Sequence, residues 1–312
     1  MSESRKWLLA AGLVALAVWL SLAIGGQWIN PFVPTSELDE RILWELRWPR
    51  LVIAFAVGGM LALAGAWFQV LLGNALAEPY VLGVAGSAAV GAVSSLMLFP
   101  GSGLGMSAGA FIGAWIGIAA VLSFSYLGPA RLLLAGIVLA AFWGALLALL
   151  LALLPEQRLG LALSWMMGDL STSPIHEGGL LFVWGVALAC GLALSRSLDA
   201  MLLGEMHATA LGVDVRRLRI RLLFLASAVT AVAVTAAGTI GFVGLIVPHL
   251  MRLLFGSLHR VVLPASAVGG GVLLMLADTG ARSMISPAEL PVGVITALIG
   301  VPVFLWLLLR RA

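Results

Sequence analysis

The chain has 312 residues, of which 62% are apolar and only 10% charged, with a formal net charge of +3 and a mean hydropathy of +1.12. A soluble domain carries roughly a quarter charged residues, so this composition excludes a water-soluble globule and offers no basic surface for nucleic acid. One bilayer crossing takes roughly 20 apolar residues. The chain therefore reads as a single all-α membrane domain, residues 1–312, with about ten spans.

Arg5 and Lys6 precede an apolar run from Trp7 to Ile24. That run exceeds the apolar core of a signal peptide, and Gly25-Gly26-Gln27 is a poor cleavage site, so it is read as an uncleaved first span over 7–25. Further spans are predicted over 49–72, 80–99, 104–126, 131–154, 178–195, 219–237, 241–256, 262–286 and 291–309. The eighth is short and contains Pro248, which removes a backbone donor and ends or kinks a helix. Ten spans put both termini on one side. With the termini inside, the inner loops and ends collect 12 of the 17 basic residues, and only Arg41, Arg47, Arg50, Arg158 and Arg282 remain outside. That asymmetry follows the positive-inside rule and predicts cytoplasmic termini.

Glycine is abundant, at 37 residues, and recurs at small-residue spacing, as in Gly59 to Gly65 and Gly113-x-x-x-Gly117. In lipid such residues let helices pack closely; a glycine-lined pathway is the alternative. Cys190, the only cysteine, lies in an apolar stretch, so disulfides within the chain are excluded and an inert, buried thiol is expected.

Polar residues stand out against this background. The inner loop from Arg196 to Arg221 has room for two short helices with an apolar face of Leu202, Leu203, Met206, Ala210 and Leu211, punctuated by Gly204 and Gly212. It reads either as a surface helix with its arginines near anionic headgroups or as a helix-in-groove docking element. The glycine punctuation favours the second. At the outer ends of two spans, Arg47, Arg50 and Arg282 either snorkel to the interface or present cationic knobs to an acidic partner. Asp278 sits within a span, where a lone carboxylate is costly. Arg282, four residues on, can pair with it structurally, and a proton relay is the rival reading. His176, His207, His249 and His259 have no ligand spacing, so no metal site is expected. Lys6 is the only lysine, which rules out a Walker A loop in this chain. The chain is read as no enzyme, and any ATP and Mg would be bound by another polypeptide.

An ordered set of motifs carries a family resemblance. Arg47-Trp-Pro-Arg50 is followed by Gly65-x3-Gln69-x4-Asn74-Ala-Leu-Ala-Glu-Pro79-x2-Leu-Gly83, Leu132-Leu-Leu-Ala-Gly136, Trp165-Met-Met-Gly168 and Leu203-Gly-Glu205-x5-Leu211-Gly212. Then come Gly241-Phe-Val-Gly-Leu-Ile-Val-Pro-His249, His259-Arg-x3-Pro264, Leu276-Ala-Asp278-x3-Arg282 and Glu289-Leu-Pro291-x-Gly293-x-x-Thr296. Together, over roughly residues 20–311, they resemble the FecCD/BtuC-type ABC importer permeases, which import cobalamin (vitamin B12), ferric siderophores or haem. Asn74-Ala75 departs from the commoner Asn-Pro.

The resemblance implies a ten-helix inner-membrane subunit acting as a homodimer by alternating access. It implies two cytoplasmic ABC ATPases held through Leu203, Gly204, Glu205, Ala208, Leu211, Gly212 and Val213. It also implies a periplasmic substrate-binding protein docked at Arg47, Arg50 and Arg282. The cytoplasmic gate falls at Leu127-Gly128-Pro129, where the polar gate residues of cobalamin permeases are replaced. Trp165-Met-Met-Gly168 and Gly26-Gln-Trp-Ile-Asn-Pro31 look most like cobalamin permeases. The rival class is an ion-gradient-coupled secondary transporter using Asp278.

Overall fold

The computed structural model describes residues 3–309 apart from 100–102, 127, 172 and 286–287. In chain order its helices are α1 (Glu3–Ala23), α2 (Glu37–Arg41), α3 (Trp48–Leu71), α4 (Val84–Leu98), α5 (Gly103–Leu122), α6 (Pro129–Leu153) and α7 (Glu156–Met166). They continue with α8 (Glu177–Leu202), α9 (Glu205–Ala210), α10 (Val215–Ala237), α11 (Val243–Phe255), α12 (His259–Ser283) and α13 (Val292–Leu309). Among the described residues there is no strand. Leaving aside the short helices α2, α7 and α9, each of the remaining ten corresponds to one of the ten predicted spans. The helical stretch Glu37–Leu71, Gly105–Leu122 of α5, and α6, α8, α10 and α12 are long and apolar enough to cross a membrane. The apolar lengths of α1, α4, α11 and α13 are shorter.

The bundle is organised around α3. Its residues are buried from Leu51 to Leu71 except Phe55, which is only partly covered, and it packs against α8, α10, α11 and α12. A stretch with one strongly polar side chain, Gln69, can be surrounded on all sides without stranding charge. Close approach depends on glycine. A β-carbon on Gly58 would run into the Gly270 carbonyl, and one on Gly65 into the Gly244 backbone. Gly91, Gly109 and Gly113 make the same kind of contact between α4 and α5. By contrast α6 leaves Leu134, Ile137, Val138, Phe142 and Leu149 exposed in the single chain.

Pro248 does not end α11; it lies inside that helix and is buried. Proline at this position cannot donate to the Gly244 carbonyl one turn back. Gln69 Nε2 turns toward that carbonyl at 3.5 Å and donates to the Leu245 carbonyl at 3.2 Å, while Arg252 holds Gln69 from the other side. The interrupted ladder is thus completed from α3, as a membrane interior requires.

Three expectations need correction. The sixth and seventh spans run further than predicted, to Leu202 and from Val215, because Leu198, Ala200 and Leu218 are buried and Asp214 caps α10 by accepting from Arg217 N–H at 2.9 Å. The loop between them therefore holds one short helix, α9, rather than two. Cys190 is only half-buried, since α8 turns much of its surface outward.

Overpacking a tight helix crossing costs about 1–3 kcal/mol or more. Gly65→Leu should lower the melting temperature of the detergent-solubilised protein markedly, while Gly144→Ala, with nothing within 4 Å of the added carbon, should leave it unchanged.

Candidate functional site

At the end of the bundle where α3 begins and α12 finishes, two guanidinium groups converge on one carboxylate. Arg50 places Nη2 2.9 Å from Asp278 Oδ1 and donates from Nε to the same oxygen at 3.0 Å. Arg282 Nε donates to Asp278 Oδ2 at 3.0 Å. Arg50 Nη1 also pairs with Glu289 at 2.7 Å, and Glu289 is the exposed member of the group. The i,i+4 pair expected from sequence is present, and Arg50 is a third member that spacing could not reveal. Asp278 is 1% exposed, and each of its oxygens accepts from a guanidinium.

Arg47 and Arg282 are not surface knobs. Each is buried, at 5% and 7% exposure. Arg47 donates to the carbonyls of Leu22 at 2.5 Å, Ala23 at 3.1 Å and Gln27 at 2.8 Å, and Arg282 donates to Ser21 at 3.1 Å. The last carbonyls of α1 have no partner within their own helix. The arginines supply donors there, and Gly25 leaves room for the Arg47 guanidinium. Around this cluster lies an open cavity of about 800 Å³ that also takes in Glu45, Leu46 and Leu170.

Deeper in the bundle, several broken segments meet. Ala237 O accepts from Asp169 N–H at 2.9 Å, Gly168 O from Val292 N–H at 3.2 Å, and Met167 O from Gly293 N–H at 3.0 Å. Tyr80 Oη accepts from Ile240 N–H at 2.8 Å, and Glu78 from Phe242 N–H at 2.6 Å. Phe242 is the only non-glycine residue with positive φ among the described residues, at 69°. Such a conformation costs of the order of 1–3 kcal/mol, and the Glu78 acceptor at the start of α11 holds it. Beside this junction lies an apolar cavity of about 600 Å³ lined by Met166, Met167, Thr239 and the α13 residues Val294, Leu298 and Val301. The sequence singled out Trp165-Met-Met-Gly168 but gave no sign that α13 would face it.

At the opposite end, Gly204 at φ 96° and Gly212 at φ 83° bracket α9. Leu203, Met206 and Leu211 are exposed, whereas Ala208 is buried beneath them. Val213 N–H donates to the Ala208 carbonyl at 3.0 Å, which closes the turn. Glu205 forms an ion pair with Arg219 on α10. Arg219 and Leu223 border the same small gap as Leu71, Ser125 and Pro129. Of the expected gate, Gly128 caps α6, Pro129 is its first residue, and Leu127 lies outside the described residues.

No group of three potential metal ligands occurs among the described residues. Gly105-Met-Ser107-Ala-Gly109 has the spacing of a hydrolase nucleophile elbow, but it lies within α5 rather than on a strand-to-helix turn.

The FecCD transport family matches residues 13–310. The chain is 40% identical over 313 residues to the vitamin B12 import system permease protein BtuC of Vibrio cholerae serotype O1, covering 98% of this chain and 94% of that protein. It is 39% identical to the protein of the same name from Salmonella typhi, covering 98% and 96%. Among solved structures, it is similar to an inward-facing protein described as a metal-chelate type ABC transporter, with a TM-score of 0.88 and 32% identity over 98% of this chain and 99% of that one. PsaBC from Streptococcus pneumoniae shares the fold, with a TM-score of 0.61 and 19% identity over 86% and 92%.

Removing one partner of a buried ion pair costs about 3–5 kcal/mol, whereas an exposed pair contributes about 0–1 kcal/mol. Asp278→Asn should therefore destabilise the detergent-solubilised protein strongly in thermal unfolding, and Glu289→Gln should leave it nearly unchanged.

Proposed function

The chain belongs to the FecCD transport family as a BtuC-type ABC importer permease, and from that premise we propose that it carries vitamin B12 across a bacterial inner membrane by ATP-driven alternating access. The observation that carries the reading is the end-to-end likeness to vitamin B12 permeases, over 98% of this chain. In this reading both termini are cytoplasmic, so the arginine cluster faces the periplasm and α9 the cytoplasm. Ferric siderophores and haem are the family's other cargoes, and the binding protein chooses among them.

A second copy of the chain is the proposed partner for the apolar faces that one chain leaves open. Leu298, Leu305 and Trp306 on α13 are exposed, as are the side chains of α6, and the 600 Å³ cavity opens beside α13. Two copies facing each other would enclose a path down their shared axis.

The binding protein docks, in this proposal, through carboxylates that meet the arginine cluster. Arg50 and Glu289 form its accessible rim, and Arg47 and Arg282 act from behind by fixing the end of α1 and the position of Asp278. Two ATPases bind the exposed Leu203, Met206 and Leu211, with Gly204 and Gly212 setting the angle of α9. The ATPases hold the ATP and Mg and perform the hydrolysis. The contiguity of Glu205, Arg219 and Pro129 supports a short route from α9 to a gate at Leu127-Gly128-Pro129. ATP moves the equilibrium only because it favours one permease state over the other.

The rival secondary transporter needs a carboxylate free to take and release an ion. Asp278 is held between Arg50 and Arg282, which argues against that use.

Charge reversal at Arg50 should weaken binding-protein affinity by at least about tenfold, a loss typical of a desolvated charge contact. Leu211→Asp should leave docking intact but abolish ATPase association. Surface-immobilised permease titrated with each partner checks both; normal affinities for these variants would contradict the assignments.

A further inference from the structure

α12 starts poorly by its own sequence. Its N-cap position is Leu258, which makes no side-chain hydrogen bond to the amides of the first turn. The acceptor comes from a different helix. Asp199 Oδ1 accepts the His259 backbone N–H at 2.8 Å and lies 2.7 Å from Nδ1 of the same residue. His259 is fully buried, while the Asp199 side chain remains partly accessible.

Asp199 also sits badly in its own helix. It lies in the last turn of α8, where a carboxylate opposes the helix dipole and no basic residue of that turn offsets it. The position makes sense only with the first turn of α12 placed against it. Four residues later Leu203 is the C-cap of α8, and Gly204 turns the chain into α9. The contact thus ties the segment just before α9 to the first residue of α12. From His259 the helix then rises about 29 Å to Asp278 and about 35 Å to Arg282 near its other end.

We propose that Asp199 and His259 are positioning residues for energy coupling: they make α12 follow any displacement of α9. This rests on the permease reading above. A carboxylate that takes both a helix-terminal amide and a buried ring nitrogen fixes direction as well as distance, so the last turn of α8 cannot slide past α12. Movement imposed on α9 by an ATPase then reaches the arginine cluster through one continuous helix, α12.

The test uses the whole transporter, this chain with its ATPase and binding protein in proteoliposomes, with labelled cobalamin uptake and ATP hydrolysis read in the same vesicles. Asp199→Ala and His259→Leu should each lower cobalamin taken up per ATP by about tenfold, with hydrolysis kept within about twofold of wild type, a size ordinary for coupling between sites. His259→Asn, which restores a side-chain N–H near the Nδ1 position, should recover more than half of the coupling. Glu177→Gln, at the far end of α8, should behave as wild type. Unchanged uptake per ATP in Asp199→Ala and His259→Leu would overturn the proposal. So would a lowered melting temperature with unchanged uptake per ATP, which would make the pair a structural tie alone. A wild-type complex with no ATP-driven uptake would instead overturn the permease reading and this inference with it.

Discussion

Inside a bilayer a backbone N–H or C=O without a partner costs several kcal/mol, and this bundle interrupts its helices repeatedly. Several of those interruptions are closed by a named side chain or by backbone from another segment. Gln69 answers the carbonyls around Pro248, Arg47 and Arg282 answer the end of α1, and Glu78 and Tyr80 answer the link into α11. Arg158 does the same for α4, donating to the Leu96 carbonyl at 3.0 Å. The polar residues that an apolar sequence retains are therefore mostly occupied with backbone, and their placement fixes where helices can break without cost.

Those breaks shape the molecule as a transporter. The junction of Gly168, Gly238 and Gly293 lets backbone pack on backbone, and Gly293 also lines the apolar cavity. The two ends of the bundle are chemically unlike. One is a compact charge cluster with a single exposed rim; the other is an exposed apolar knob on a short helix between two glycines. α12 touches both ends, which is why its first turn matters as much as its last.

Much of this was legible in the residues. Ten apolar runs became ten helices because run length and the absence of charge leave few other options for a chain in lipid. Gly59, Gly65, Gly113 and Gly117 pack helices closely, as small-residue spacing implied. The Asp278–Arg282 pair follows from i,i+4 geometry alone. The inward turn of Arg47 was not legible, because its acceptors are carbonyls and any residue at 22, 23 or 27 would offer them. α7 was missed because Gln157 and Arg158 dilute its apolar signal over only 11 residues. Asp199 and His259 lie 60 positions apart on helices whose neighbourhood no local pattern reports.

The most direct measurement of ATP-driven import is labelled cobalamin uptake into proteoliposomes holding this chain, with ATPase, binding protein and ATP each omitted in turn. Uptake is expected only when all are present, with none driven by an ion gradient alone. Gradient-driven uptake by this chain without the ATPase would contradict ATP-driven import.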